Sequence, residues 1–317
     1  MRLFLIILLI PLYSWTQNFQ EAIHLFESKK LEAAKSVFKK ISEDNANYIK
    51  AQEYLGDIAA YQKKWDVSLG YYKKLLDIDN NNAVYNYKYG GVLAYKAQSV
   101  NKLKALTLVS DIKKHLHKAA ELDNQHIEVR WALVEVYISL PGIVGGSEKK
   151  AKKYANELMH ISPVDGYLAL GYVAEYNDKP QIAEENYKKA IELGGSLHTY
   201  DKLSGLYEKT NQPKKAISNY EKASEKHKRN HLNYQIGKVC AQYNMYLDKG
   251  LICLNEYIKN HSPKDGVPIS WANYRIAQIY RYKKDKRNAY NFIEKALREK
   301  PDLEPALKEK KMILLME

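Results

Sequence analysis

The sequence is poor in the residues that build catalytic and metal centres. It has two cysteines, and its nine histidines are scattered along the chain. No His-x3-His pair occurs with a third candidate ligand, so the sequence predicts no metal site. No serine or cysteine shows the turn motif or neighbouring base of a nucleophile, and no glycine-rich segment ends in the Gly-Lys-Ser/Thr of a Walker loop. We therefore predict no catalytic residue and no cofactor.

Long hydrophobic runs are missing after residue 12. The start of the chain differs, because Arg2 precedes a short apolar run at 3–12 and a small-x-small Ser-Trp-Thr at 14–16. These are the features of a secretory signal peptide, whose apolar run is too short to span a bilayer comfortably. We expect 1–16 to be removed, leaving Gln17 at the mature N-terminus and no membrane span in the mature chain. An uncleaved N-terminal anchor is the alternative.

The formal charge is +13, but the lysines are spread over most of the chain rather than clustered. Spread lysines are typical of solvated helix faces, and a weak attraction to anionic envelope surfaces is the alternative. The expected export places the protein in the periplasm or outside the cell, and for that reason we predict no nucleic acid partner.

What the sequence does contain is a period. Small residues recur at intervals close to 34, at Ala22, Gly56, Gly90, Val134, Gly171, Ser204, Gly237 and Ala277. A period of this length is typical of stacked helical hairpins. Twelve residues after the anchor Gly171 comes Ala183, and Tyr187 follows four later. Small residues let two antiparallel helices approach closely, and the large residue fills the space beside them.

These spacings resemble the tetratricopeptide repeat (TPR), which reads aromatic-x2-Leu-Gly-x2-Tyr, then Ala-x3-Phe and Pro. The matching stretches are Tyr167-x2-Leu170-Gly171 with Ala183-x3-Tyr187, Tyr200-x2-Leu203-Ser204-x2-Tyr207 with Ala216-x3-Tyr220, and Ala277-x2-Tyr280 with Ala289-x3-Ile293 and Pro301. The leading aromatic is missing where Gln52, Asn86, Arg130, Asn233 and Asn273 stand. The resemblance covers about 18–301. It implies an all-α solenoid, a right-handed superhelix of about eight hairpins that binds other proteins.

The phased anchors predict the division of the chain. The repeat array should occupy 17–301, with hairpins at 17–46, 48–80, 83–124, 126–163, 165–195, 197–229, 231–262 and 267–301. A last helix at 302–317 should cap the array, because a solenoid end needs a polar outer face. Its Leu303, Ala306, Leu307, Ile313 and Leu314 are expected to cover the exposed seam of the last hairpin. The segment 260–268 is the best candidate for a hinge.

Two neighbouring hairpins are longer than the repeat. The third has ten extra residues at 97–106, which we expect to lengthen its second helix and the turn before it. The fourth has five extra residues within 140–147. Both insertions lie between a first and a second helix, so they should emerge on one edge of the array and pack side by side. Loops on a rigid scaffold are common binding sites, and we predict a partner contact there.

The second insertion resembles a Pro-Gly-x-x-Gly-Gly-Ser segment of a subset of exported bacterial TPR proteins. Its candidate contact residues are Pro141, Gly142, Gly145, Gly146 and Ser147. Free backbone amides before a helix could hold an anion or touch a partner. The alternative is a tight turn that needs glycine at positive φ, with Ser147 as the N-cap of the next helix.

In a TPR the first helix of each hairpin lines the concave face. Residues three before and one after each anchor are four apart and share one face of that helix. The candidate groove residues are Tyr87, Trp131, Glu135, Ile138, Leu168, Tyr172, Glu175, Asp201, Glu208, Tyr234, Lys238, Tyr274, Gln278 and Arg281. Exposed aromatics flanked by charge are typical interface anchors, so we predict a bound segment with apolar side chains and some positive charge along repeats four to seven. The alternative is that these rings pack against neighbouring helices.

Cys240 and Cys253 fall on the first and second helices of one predicted hairpin. Export permits a disulfide between them. Each also occupies a position where the repeat needs a buried apolar residue, so two buried thiols are the alternative.

The function expected from these features is a non-catalytic scaffold of the cell envelope or periplasm that holds a protein or peptide segment. One alternative is an accessory component of a solute transport system that binds a small ligand, and another is an enzyme subunit without an active site of its own. A long open groove would favour a peptide, and a closed pocket of aromatics would favour a small ligand.

Overall fold

The computed structural model describes the backbone of residues 10–317 and the side chains from Phe19 onward. All regular structure within that range is helical, which confirms the all-α prediction. The chain divides into two compact units, of which the first ends at Ile161 and the second is Ser162–Glu317. The predicted signal peptide at 1–16 lies outside the described residues, apart from the backbone of 10–16, which opens the first helix.

The first unit is built from consecutive helices that pack in pairs. Its helices are α1 (Ile10–Glu27), α2 (Leu31–Phe38), α3 (Tyr48–Tyr61), α4 (Trp65–Ile78), α5 (Ala83–Ser99), α6 (Lys102–Leu122), α7 (Ile127–Ser139) and α8 (Glu148–Ile161), with a short 3-10 turn at Gly142–Val144. Each odd-numbered helix packs on the even-numbered helix that follows it, and each pair packs on the next pair.

The second unit repeats the same arrangement and adds one helix. Its helices are α9 (Pro163–Tyr176), α10 (Pro180–Leu193), α11 (Leu197–Lys209), α12 (Pro213–His227), α13 (Asn230–Gln242), α14 (Leu247–Lys259), α15 (Ile269–Tyr282), α16 (Lys286–Glu299) and α17 (Glu304–Leu314), with a 3-10 turn at Pro263–Asp265. Helix α17 packs against both α16 and α15.

The turns inside the hairpins share a left-handed residue. Among non-glycine residues, positive φ angles occur in these turns at Lys29, Lys63, Asp178, Asn211, Asn244 with Tyr246, and Lys284, so every hairpin except the third and fourth has at least one. Asn and Asp adopt this conformation more readily than other non-glycine residues because their short polar side chains bond locally. The third and fourth hairpins carry the two insertions, and their connections are built differently.

The anchor residues are small because the facing helix leaves no room for a side chain. A Cβ atom on Gly171 would lie 2.4 Å from the ring of Tyr187, and one on Gly237 would lie 2.4 Å from Cγ of Leu254. Both Tyr187 and Leu254 are fully buried. The large residue of the second helix therefore packs on bare backbone of the first, and this contact sets the distance between the two helices.

The first insertion takes a form that the sequence did not predict. Helix α5 has 17 residues and α6 has 21, whereas most other helices have 13 to 15. The connection between them is only Val100 and Asn101, and Asn101 caps α6 by accepting a hydrogen bond from the backbone N–H of Lys104. The expected longer turn is therefore wrong, because both helices lengthen instead and a good N-cap residue starts the second one at once.

The start of α9 and the cap also differ from expectation. Helix α9 begins at Pro163 rather than 165, because Ser162 provides the N-cap and proline fits the first helical turn. In the cap, Leu303, Ala306 and Ile313 are buried as expected. Leu307 and Leu314, however, are 42% and 54% exposed, because α17 presents only one face to α15 and α16.

Hydrogen bonds fix the conformation of the segment 260–268, which was the candidate hinge. Ser262 and Asp265 form a reciprocal capping box around the 3-10 turn, and Asn230 donates to the Asp265 carboxylate. The Tyr257 hydroxyl donates to the carbonyl of Val267. A segment held from three sides in this way argues against a hinge at 260–268.

The helix contact at the anchors can be tested with two glycines of the second unit. Gly171→Ala should lower the free energy of unfolding by about 1–3 kcal/mol, because the buried Tyr187 ring must shift. Gly205→Ala should raise it by up to about 1 kcal/mol, since a Cβ at this exposed helical position meets nothing within 4 Å. Urea unfolding followed by circular dichroism measures both. Equal effects of the two substitutions would contradict the packing argument.

Candidate binding groove

The predicted groove aromatics of the second unit lie in its core. Tyr234 and Tyr274 are 5% and 7% exposed, Leu168 is 4% exposed, and Gln278 is also buried. The Tyr234 ring packs on Tyr257 with ring centroids 5.3 Å apart. The prediction that Tyr234 and Tyr274 are exposed anchors is therefore wrong, because helices α13 and α15 pack directly on each other and cover them.

Two groove positions of the fourth and fifth hairpins differ in exposure. Ile138 in α7 is buried, at 7% exposed. Tyr172 in α9 remains half-buried, and Lys202 lies over its ring at 5.7 Å from the centroid. Among the predicted aromatics of the second unit, Tyr172 alone keeps a partly exposed ring.

Several of the predicted charged groove residues of the second unit already have partners within the protein. The carboxylate of Glu208 lies 3.0 Å from Lys238, and Arg281 pairs with the buried Glu309. Glu175 accepts a hydrogen bond from the Tyr187 hydroxyl at 2.9 Å. Because these charged groups already have partners within the protein, they give little reason to expect a positively charged ligand along α9–α15.

Asp201 is the exception among these charged residues. Its Oδ1 is buried without a hydrogen-bond partner. Burial raises the pKa of Asp201, while the nearby His231, His198 and Lys238 act in the opposite direction. The cavity of the second unit that Glu184, Tyr200, Tyr207 and Asn219 line does not include this carboxylate, and its geometry does not define a site.

In the first unit the predicted residues Tyr87, Trp131 and Glu135 do come together. They line a cavity of about 700 Å³ between α5, α6 and α7. Tyr87 and Trp131 are half-buried, and Glu135 is exposed. The Tyr87 ring is held by His126, with ring centroids 4.9 Å apart. The aromatics thus form walls that a ligand could reach.

The insertions create this cavity. Ala97, Gln98, Ala105 and Leu106, all within the first insertion, line it together with Leu140 from the start of the second. The expectation that the two insertions lie near each other agrees with this placement. The contact of either insertion with a partner stays a prediction.

A second cavity of about 550 Å³ adjoins the first and shares Tyr87, Gly91 and Tyr95 with it. Phe26, Tyr61 and Trp65 line its other parts. The Trp65 and Tyr95 rings stack, with their centroids 5.7 Å apart. The two cavities therefore form one apolar surface along the hairpins of the first unit.

Sequence reasoning missed Tyr61 and Tyr95, which are 57% and 59% exposed. A signal for them exists, because each lies five residues after an anchor, as Tyr176 does after Gly171. That position follows the predicted groove stripe by one turn, and an aromatic ring recurring there marks the surface that the cavities share.

A charged cluster forms part of the wall of the smaller cavity, since Asp57 and Lys88 both line it. The Lys88 ammonium lies 2.7 Å from Glu53 and 2.7 Å from Asp57, and Lys50 also reaches Glu53 at 2.7 Å. Glu53 is buried, at 6% exposed. Burial acts to raise the pKa of Glu53, but the hydrogen bonds from Lys50 and Lys88 outweigh it and hold the pKa below its ordinary value of 4.5. The cluster links α3 to α5 in the wall of the smaller cavity.

The Pro141–Ser147 loop is a tight turn. Gly145 has φ of 84°, and a Cβ on Gly146 would lie 1.7 Å from the carbonyl oxygen of Leu140. Lys113 donates to the carbonyls of Val144 and Gly145, at 3.1 and 2.9 Å. Ser147 caps α8 by accepting from the backbone N–H of Lys150. Backbone geometry thus explains Gly145 and Gly146, as the tight-turn alternative expects, while a Cβ on Gly142 would meet nothing within 4 Å.

The two cysteines are free thiols in this structure. Cys240 is fully buried and Cys253 is half-buried. Burial, with a smaller contribution from Cys253, raises the pKa of Cys240 to about 12. A thiol with a raised pKa is a poor nucleophile, so this geometry fits a packing role for Cys240.

The described residues contain no group of three metal-ligating side chains, and none of their helices is long and apolar enough to cross a membrane.

The charged cluster yields a test. Lys88→Met should lower the free energy of unfolding at neutral pH by somewhat less than the 3–5 kcal/mol that is typical when a buried pair loses one partner, because Lys50 still reaches Glu53. A carboxylate with a lowered folded-state pKa contributes stability above 4.5 and loses it as the pH falls through that pKa. The difference between the variant and the wild type should therefore shrink below pH 4.5.

Chemical denaturation at a series of pH values measures this difference. The matched control is the Glu53→Gln/Asp57→Asn/Lys88→Met triple variant, which removes both carboxylates that Lys88 contacts and should recover most of the stability. A difference that does not change with pH would show that Lys88 acts through packing alone.

The comparisons with known proteins agree with this architecture. A family model described as tetratricopeptide repeat matches residues 197–225 and 272–303. The structure of a tetratricopeptide repeat protein from Parabacteroides merdae is similar, with 13% identity, 95% of this chain and 99% of that chain covered, and a TM-score of 0.53. Such low identity shows the fold alone.

Two further solved structures match part of the chain. They are YrrB, described as a TPR protein with an unusual peptide-binding site (20% identity, 62% of this chain and 97% of that chain, TM-score 0.44), and MamA (22% identity, 58% and 94%, TM-score 0.39). None of the curated proteins matches in sequence. With the small anchors, the paired helices and the matched segments together, the chain contains tetratricopeptide repeats in an all-helical TPR solenoid.

Proposed function

We propose that this protein is a non-catalytic interaction scaffold and that it binds a segment of a protein partner across the two joined cavities of the first unit. The observation that carries the proposal is that the cavities share Tyr87, Gly91 and Tyr95 and so offer one continuous surface that is largely apolar and carries a few charged groups. Stacked helical repeats create extended binding surfaces of this kind, and the proposed function uses one.

The exposed rings support a protein partner. Tyr61 and Tyr95 are more than half exposed although both line the cavities, and Trp131 is half-buried. Rings that could be buried further by a partner are typical anchors of interfaces. In the second unit the predicted rings of Tyr234 and Tyr274 are already buried by neighbouring helices, and only Tyr172 stays partly exposed, so we place the bound segment on repeats two to four instead of repeats four to seven.

We further propose that the protein is exported and acts in the periplasm or the cell envelope. The positive start, the short apolar run and the small-x-small site at 14–16 support this. In this proposal the partner is a protein and not a nucleic acid, and the chain needs no cofactor.

A small ligand is the second candidate. The larger cavity has a volume of about 700 Å³, which is within the usual range of small-molecule pockets, and its walls are mostly apolar with a few polar groups. This is the feature that would favour an accessory of solute transport.

Export has a direct test. Protein isolated from the native envelope should begin at Gln17, because cleavage is expected after the Ser-Trp-Thr site. Intact mass measurement decides it. The presence of Met1 in that material would overturn the proposal of a cleaved signal peptide.

The binding surface can be tested with a photo-crosslinking residue placed at Tyr95 in living cells. We expect a protein adduct from position 95 and none from Tyr246, which is 50% exposed in the second unit. Gly91→Phe should abolish the adduct, because a Cβ there meets nothing within 4 Å and the ring would extend into both cavities.

The matched control for Gly91→Phe is Gly205→Phe, because Gly205 is a helical glycine of the second unit whose Cβ position is equally open. It should leave the adduct unchanged. An adduct that survives Gly91→Phe would exclude the cavities as the site, and a small bound molecule without any protein adduct would favour the second candidate.

A further inference from the structure

The charge of the larger cavity indicates what kind of segment it takes. Its charged lining residues are Glu128 and Glu135, and no Lys or Arg occurs among the described lining residues. The chain as a whole has 50 basic and 37 acidic residues. A cavity whose charged lining residues are both carboxylates therefore differs in charge from the protein as a whole, which is basic.

The two carboxylates flank Trp131 on one face of α7. Residues 128, 131 and 135 are spaced by three and four, so their side chains share that face, and the two glutamates are about 10 Å apart along the axis. His126 lies 3.0 Å from Glu128, which nevertheless stays 66% exposed. Glu135 has an interaction of its own within the chain and is also exposed. The Trp131 ring thus lies between two solvent-exposed carboxylates.

The field of these carboxylates reaches the opposite wall. Burial is the main reason that the pKa of Tyr87 on α5 is raised, and Glu128 and Glu135 both raise it further. The Glu128 and Glu135 carboxylates on α7 are therefore close enough to act on the Tyr87 hydroxyl across the cavity.

The apolar interior results from small residues on the lengthened hairpin. Gly91, Ala94, Ala97 and Ala105 leave space, and Leu106 and Val109 line it with aliphatic groups. An apolar group of a ligand would be removed from water here, which contributes about 25 cal/mol per Å² of buried apolar surface.

From these features, and resting on the proposed function, we infer that the insertion-built cavity binds a bulky apolar side chain of a partner segment that carries an adjacent Lys or Arg. The apolar side chain lies among the alanines of α5 and α6. The cation lies over the Trp131 ring between Glu128 and Glu135, where ring and carboxylates attract it together. An acidic segment or a fatty acid would bring its charge against the two glutamates.

Selection from a random-peptide phage library on the purified protein tests this inference. Peptides that bind the wild type but do not bind Gly91→Phe are those that occupy the cavity. We expect these peptides to be enriched in a large apolar residue next to Lys or Arg. The enrichment of the basic residue should disappear when the selection is repeated on Glu128→Gln/Glu135→Gln, while the apolar residue remains.

A selected peptide, synthesised and labelled, gives the quantitative measurement by fluorescence anisotropy. We expect Glu128→Gln/Glu135→Gln to weaken binding about tenfold and to reduce its salt dependence. The matched control is Glu185→Gln/Glu192→Gln, two exposed glutamates spaced seven apart on α10 of the second unit. This control should leave the affinity unchanged.

The outcomes separate the two proposals. Peptides that depend on the cavity but show no basic residue would overturn this inference and leave the proposed function standing. Failure to select any peptide that Gly91→Phe excludes would overturn both. A small molecule retained by the natively purified wild type and lost in Gly91→Phe, seen by native mass spectrometry, would assign the cavity to a small ligand instead.

Discussion

The structure depends on one contact that recurs along the hairpins, the packing of a large side chain of the second helix on a small residue of the first, which is bare glycine backbone at Gly56, Gly171 and Gly237. Gly171 under Tyr187 and Gly237 under Leu254 are its clearest cases, because no Cβ fits at either glycine. Close packing of this kind fixes the distance and register of two helices at once. The remaining faces of each hairpin are then free to pack on the next one.

Charged residues on consecutive hairpins follow from that register. Lys88 reaches Glu53 and Asp57 in the preceding hairpin, and Lys238 reaches Glu208 in the preceding hairpin. Arg281 of the last hairpin reaches Glu309 of the cap helix α17. Each buried carboxylate needs its partner, since an unpaired buried charge is costly. Regular repeats thus use their polar groups internally, and this explains why the predicted charged stripe of the second unit offers little to a ligand.

The cavities occur where the repeat is interrupted. Lengthening α5 and α6 extends their hairpin beyond the facing helix α7, and small residues such as Gly91 and Ala105 leave the resulting space unfilled. Because the regular contacts on either side keep the helices in place, the space is preserved in the fold. The proposed binding chemistry therefore depends on the departure from the repeat, with the repeat itself as its support.

The sequence by itself determined the helices, their pairing and the positions of the two insertions, because a period near 34 and the small anchors depend only on spacing along the chain. The same spacing also places Tyr87, Trp131 and Glu135 on the corresponding faces of their helices. Only the tertiary structure decided which of these faces stay open. Tyr234 and Trp131 look alike in the sequence, yet the first is covered by a neighbouring helix and the second borders a cavity, since exposure depends on how closely the next hairpin packs.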